Sequence, residues 1–177
     1  MLEGERRDMR FSLLYLNIFV AYTVGVSSVH IIFASTSGHT EFVVDVIIPL
    51  LKDAGHAVTK QRVELAKPED LLKGDTLILA SGTWNTGGIE GQLNPHMHAF
   101  VYGPAKGADL KGRNVAIIAL GDERYHYTAR AGEHLRTFIE SHGGKILGEP
   151  LTVVNEPYGQ EEKVEEWGKA LVNSLTR

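Results

Sequence analysis

The sequence predicts an α/β fold, a parallel sheet with helices on both faces. Two observations carry the prediction. Five short aliphatic and β-branched runs recur along the chain, near-continuously apolar rather than alternating, as strands buried on both sides must be. Between them lie segments whose apolar residues repeat at helical spacing. The 177 residues, 43% of them hydrophobic, are enough to build one such core.

Val29–Ala34 (VHIIFA) is the first strand, and it runs into a small-residue loop, Ser35–Thr40. Glu41–Ala54 then places Val43, Val46, Ile47, Leu50 and Leu51 on one helical face, and Gly55 closes it. Pro49 inside this helix removes a backbone donor, so a kink is expected. Ala57–Val63 is the second strand. Lys67–Lys73 makes one or two helical turns, with Pro68 suited to the first. Thr76–Ala80 (TLILA) is the third strand, followed by a glycine-rich loop, Ser81–Gly91.

Leu93–Tyr102 reads as helical despite Pro95. Asn114–Leu120 (NVAIIAL) is the fourth strand, followed by the loop Gly121–Tyr127. Thr128–His142 sets Ala131, Leu135, Phe138 and Ile139 on one face and stops at Gly143. Lys145–Val154 is the fifth strand, broken near Gly148–Pro150. Glu161–Leu175 is the last helix, with Val164, Trp167, Leu171 and Leu175 inward. No internal repeat or second domain interrupts residues 29–177.

Residues 1–28 have a different character. Met1–Arg10 carries six charges, and Phe11–Val26 is then sixteen residues without one. A membrane-spanning helix needs about 20 apolar residues, and this run is broken by Ser12, Asn17 and Thr23. A signal peptide, a weak membrane anchor over 11–26 and upstream sequence from a misassigned start are the three readings. This extension is set apart from the 29–177 domain.

Eighteen basic against 22 acidic residues give a formal charge of −4, with no basic stripe, so a nucleic-acid partner is not expected. The chain has no cysteine, which excludes disulfides, cysteine-ligated metals and thiol chemistry. His96 and His98 are the only close histidine pair, and their i, i+2 spacing does not share a helix face. No HExxH, GxSxG, GxxxxGK[ST] or GxGxxG pattern is present.

In open α/β sheets ligands bind beyond the carboxyl ends of the strands, and three loops leave such ends. Ser35-Thr36-Ser37-Gly38-His39-Thr40 sets hydroxyls around one glycine at a helix start, where free N–H groups and the macrodipole favour an anion. An over-capped helix start is the bland alternative. Gly82-Thr83-Trp84-Asn85-Thr86-Gly87-Gly88 offers an indole that could stack on a planar ligand or merely fill the core edge. Gly121-Asp122-Glu123-Arg124-Tyr125-His126-Tyr127 offers two phenols, or a solvated charged turn. At one sheet edge the three would make an anion cradle flanked by aromatics, suited to a flat ligand with a phosphate tail.

In these three motifs the chain resembles the short-chain flavodoxins. Their phosphate loop [TS]-x-T-G-x-T is matched by Ser35–Thr40, their Thr-Trp by Thr83-Trp84, and their Gly-Asp-x-x-Tyr-x-Tyr/Phe by Gly121–Tyr127. The resemblance implies a doubly wound five-stranded parallel sheet in the order 2-1-3-4-5, with FMN at its edge. Ser35, Thr36, Ser37, Gly38, His39 and Thr40 would hold the phosphate. Trp84 would cover the inner ring face and Tyr125 the outer. The backbone of Asn85, Gly121, Tyr127 and Ala129 would meet the polar ring edge, with Asp122 at N3–H. Thr83, Thr86 and Gly87 of the second loop would also bind the cofactor.

The function so implied is low-potential electron transfer between redox enzymes, by a monomer in the cytoplasm. Its partners would be a reductase that donates and an enzyme that accepts. Arg124, His39 and His126 depart from the acidic surroundings usual in the family, so a less negative final reduction potential is expected. Asn85 stands where glycine is common, and should hinder the backbone turn that family members make on reduction. The competing enzyme reading is an NAD(P)H:quinone or flavin reductase, whose nicotinamide Tyr125 would block. A signalling receiver domain and an interaction module that has lost FMN are the remaining alternatives.

Overall fold

The structure is a computed structural model, and it describes residues 26–175. The run Phe11–Val26 therefore lies, but for Val26, outside the described residues. In chain order the elements are β1 (Ser28–Phe33), α1 (His39–Asp53), β2 (Ala57–Arg62), β3 (Thr76–Thr86) and β4 (Ile89–Leu93). They continue with α2 (Pro95–Tyr102), β5 (Asn114–Gly121), α3 (Ala131–Ser141), β6 (Lys145–Ile146), β7 (Leu151–Val154) and α4 (Glu161–Leu175).

β1, β3 and β5 form the centre of the sheet, and alternate side chains feed opposite faces. On one face Ile32, Leu77, Leu79, Val115 and Ile117 pack with residues of α2 and α3. On the other Ile31, Phe33, Ile78, Ala116 and Ile118 pack with α1 and α4. Both faces are dry, which is why these strands read as unbroken apolar runs. β2 is different. It lies at the sheet edge beside β1, and its Thr59 and Lys60 are exposed.

The order is β2-β1-β3-β5-β6, with β7 also on β5 and every one of these pairings parallel. β6 and β7 are the two halves of the fifth strand, parted around Gly148–Pro150 as expected. With β4 set aside this is the expected 2-1-3-4-5 arrangement.

One local expectation is corrected. Ser81–Gly91 is not an open loop. β3 runs on to Thr86 and turns back as β4, an antiparallel hairpin closed by Gly87 and Gly88 at φ +65° and +79°. Two successive positive φ values in a two-residue connection define a type I′ turn, which suits the twist of a hairpin. The short helix expected over Lys67–Lys73 is present as a 3-10 helix over Pro68–Leu72, with Pro68 at its first position. Helix α1 carries Pro49 within its span, at an exposed position.

Candidate functional site

The carboxyl ends of β1, β3, β5 and β7 converge on one cavity of about 510 Å³. The first loop enters it at the start of α1. Gly38 takes φ +91°, a left-handed conformation that glycine adopts freely, and having no side chain it does not itself cap the helix. The opening turn therefore keeps the His39 and Thr40 N–H groups for an anion. Thr36, Ser37, His39 and Thr40 line the cavity. Ser35 does not. It is buried, and its hydroxyl accepts from the Glu41 N–H at 3.3 Å.

A cation braces this loop from outside. Arg62 of β2 donates to the Ser35 carbonyl and to Glu41 Oε2, the latter at 2.9 Å. On the other side His39 Nε2 stands 3.1 Å from Glu156 Oε2, with Tyr158 edge-on to the imidazole.

The second loop is shaped by the hairpin. The register slips between Trp84 and Thr86, so Glu90 and Gly91 of β4 face Asn85 as a bulge. Trp84 is half-buried in the cavity wall, its indole folded over Gly82, where an added Cβ would stand 3.0 Å from Nε1. Asn85 and Thr83 also line the cavity. Thr83 has a second task, since its hydroxyl accepts the Ala131 N–H at 2.9 Å at the start of α3. Thr86 and Gly87 lie outside the cavity. Thr86 donates to the Leu93 carbonyl at 2.7 Å, and Gly87 forms the turn.

The third loop closes the opposite wall. Gly121, Asp122, Tyr125 and Tyr127 line it, with the two phenols 55% and 41% exposed. Arg124 donates through Nε to both Asp122 oxygens at 2.9 Å and holds the carboxyl down to about 2. Tyr127 is gripped from two sides. Its N–H donates to Glu90 Oε1 at 3.2 Å, and the Arg130 guanidinium lies 4.5 Å from its ring centre. Ala129, outside the cavity, takes φ +55° where the chain turns under Gly121.

Two contributions escaped the sequence reading. Asn155 and Glu156, just beyond β7, line the cavity, and Asn155 ties to the third loop through its N–H to the Gly121 carbonyl at 2.8 Å. The rule that ligands sit beyond strand carboxyl ends would have pointed to them had it been applied to the fifth strand. Asn94 at the end of β4 lines the cavity too, although it is 1% exposed. The helix expected over Leu93–Tyr102 in fact begins at Pro95, with Leu93 ending β4 and Asn94 as the cap, and the Asn-Pro pair at a helix start is the signal that marks it.

A doubly wound sheet with a hydroxyl-lined helix start and aromatics at the strand ends defines a mononucleotide-binding α/β protein. Comparison with known proteins makes this particular. A family model described as flavodoxin matches residues 31–167. The flavodoxin of Nitratidesulfovibrio vulgaris is 28% identical over 151 residues, covering 85% of this chain and 100% of that protein. The flavodoxin of Maridesulfovibrio salexigens is 25% identical over 146 residues, 82% of this chain and 97% of that one. The crystal structure of oxidised Flavodoxin 2 from Bacillus cereus superposes with a TM-score of 0.76 at 28% identity, covering 82% and 98% of the two chains.

The chain belongs to the flavodoxin family. It is an electron carrier working with FMN, not an enzyme that transforms a substrate. Its geometry fits that group. The cavity volume lies within the roughly 300–1,000 Å³ of small-molecule sites. One end is the hydroxyl-rich start of α1, and Trp84 and Tyr125 line the same space. Among the described residues no helix is long and apolar enough to cross a membrane.

Proposed function

We propose that residues 29–177 form the carrier domain and that the cavity holds FMN with its phosphate on the Ser35–Thr40 loop and its ring between Trp84 and Tyr125. One observation carries the reading: an indole and a phenol share a cavity that ends at the hydroxyl-lined N-terminus of a helix. FMN supplies the one- and two-electron chemistry. The chain's own residues do the rest. Thr36, Ser37 and Thr40 offer hydroxyl donors to the phosphate, with Gly38 leaving room for backbone N–H groups. Asp122 accepts at the ring's N3–H edge, and Asn85, Gly121 and Tyr127 meet that edge with main-chain groups. Ser35, Thr86 and Ala129 act by shaping the loops, since they lie outside the cavity, and Gly87 forms the hairpin turn.

The partners of such a carrier are redox proteins, a reductase that donates and an enzyme that accepts. The chain is read as a cytoplasmic monomer, without a nucleic-acid partner. Residues 1–28 are read as an extension of the carrier domain, except that Ser28 already belongs to β1. A reductase of its own would need a nicotinamide where Tyr125 stands.

Titration of the purified protein with FMN, followed by quenching of flavin fluorescence and by the visible spectrum, tests the reading. One-to-one quenching that Trp84→Ala and Tyr125→Ala both weaken is the expected result. Unchanged flavin fluorescence at micromolar protein, or affinity indifferent to both variants, overturns it.

A further inference from the structure

Asn94 is 1% exposed at the junction of β4 and α2, and every polar group of its side chain is assigned by geometry. Its Oδ1 accepts the His96 N–H at 3.1 Å, the cap of helix α2. That bond fixes which end of the amide is oxygen. The Nδ2 end must therefore point the other way, and it reaches Thr36 Oγ1 at 2.9 Å. An amide nitrogen only donates. Thr36 must accept from it, so the single proton of its hydroxyl is left to go elsewhere.

Thr36 lies on the cavity wall, and no described side chain or carbonyl takes that proton. The backbone of Asn94 is held as firmly. Its N–H donates to Ser81 Oγ at 3.1 Å and to the Gly82 carbonyl at 2.9 Å. Asn94 is thus anchored to the middle of β3 through Ser81 and Gly82.

We propose that Asn94 is a positioning residue for the anion end of the cavity. It makes Thr36 a hydroxyl donor toward the bound phosphate, and it locks the first loop to the hairpin that carries Trp84. The proposal rests on the reading that the phosphate sits on the Ser35–Thr40 loop. Its consequence is selectivity. A pre-aimed donor favours a phosphate-bearing flavin over riboflavin, and has no effect on the ring itself.

Asn94→Asp is the near-isosteric test. A carboxylate still caps the His96 N–H but can only accept from Thr36, which reverses the polarity of that bond. Asn94→Ser is its neutral companion, capping α2 while falling short of Thr36. Dissociation constants for FMN and for riboflavin are measured by fluorescence quenching in the wild type, Thr36→Val, both Asn94 variants and the double variant Thr36→Val/Asn94→Ser.

The expected result is an FMN affinity lower by about 5- to 20-fold in Asn94→Ser, the usual range for a misdirected charge-assisted hydrogen bond, with a larger loss in Asn94→Asp. Riboflavin affinity should be unchanged in both. The FMN loss in Asn94→Ser should largely vanish when Thr36 is already valine. Equal losses for both flavins would mark Asn94 as structural only and overturn the proposal. So would an FMN loss that is undiminished in the Thr36→Val background, or no FMN loss in either Asn94 variant while Thr36→Val weakens FMN. A wild type that holds riboflavin as tightly as FMN, with Thr36→Val silent, overturns the phosphate assignment and the proposal with it.

Discussion

Arg124 grips the carboxylate of Asp122, two residues before it, with Nε within 2.9 Å of both oxygens. The residue proposed for the ring edge therefore carries its own counter-charge. An acid alone would oppose electron density arriving on the ring, and the guanidinium offsets that opposition. Replacing Arg124 by alanine should make the final reduction potential of the bound flavin more negative by about 10–40 mV, the scale of an exposed ion pair. A redox titration of wild type and variant reads the shift. A potential that stays put or moves upward contradicts it.

The aromatic walls should act on the ring and not on the phosphate. Trp84→Ala and Tyr125→Ala are each expected to weaken FMN by about 10- to 100-fold, the range of one aromatic stack. Riboflavin should lose affinity by the same factor. Side-by-side titrations with the two flavins separate these variants from those at Thr36.

At Gly121 the backbone itself leaves no room. A Cβ there would sit 2.2 Å from the Ala129 nitrogen. Neither partner can step aside, because Ala129 is main chain in a left-handed turn and Gly121 ends β5. Gly121→Ala should cost about 1–3 kcal/mol of stability, as overpacking does. It should also displace the third loop, so that FMN affinity falls with stability. Urea denaturation without flavin measures the first effect and titration the second.

Stability should decline on the acid side in two stages. His30 is buried in β1 and bonds Thr59 Oγ1 through Nδ1 at 2.7 Å, while its Nε2 has no partner. Burial, and then the Lys73 charge, push its pKa below the ordinary 6.5. The unfolded chain thus takes up a proton first, and stability falls as pH drops below 6.5. Asp70 is held from 3.8 down to about 2 by Lys73 and the Lys67 N–H. Its contribution is complete above about pH 4–5 and lost as pH falls toward 2. Urea midpoints across pH 7.5 to 2.5 should show both limbs. His30→Leu should flatten only the upper one.

How much was legible beforehand depends on what each residue needs. The central strands declared themselves because Ile31, Ile32, Leu77, Ile78, Ile117 and Ile118 are dry on both faces, and burial leaves its mark directly in residue type. The hairpin did not. Trp84–Leu93 alternates weakly and is half-exposed, and glycines that build a turn look the same as glycines that loosen a loop. Gly87-Gly88 closes β3 onto β4 only because the two strands can pair.

The sequence alone determined which loops hold chemistry, since hydroxyls around Gly38, the indole of Trp84 and the phenols of Tyr125 and Tyr127 are choices of residue type at strand ends. Tertiary structure decided which of those groups face the cavity and in what electrical state. Ser35 and Thr86 are spent on loop bonds, while Glu156, Asn155 and Asn94 arrive from distant positions. The reason is that a hydrogen bond's direction and an ion pair's partner depend on contacts between residues far apart in the chain, 58 positions in the case of Asn94 and Thr36.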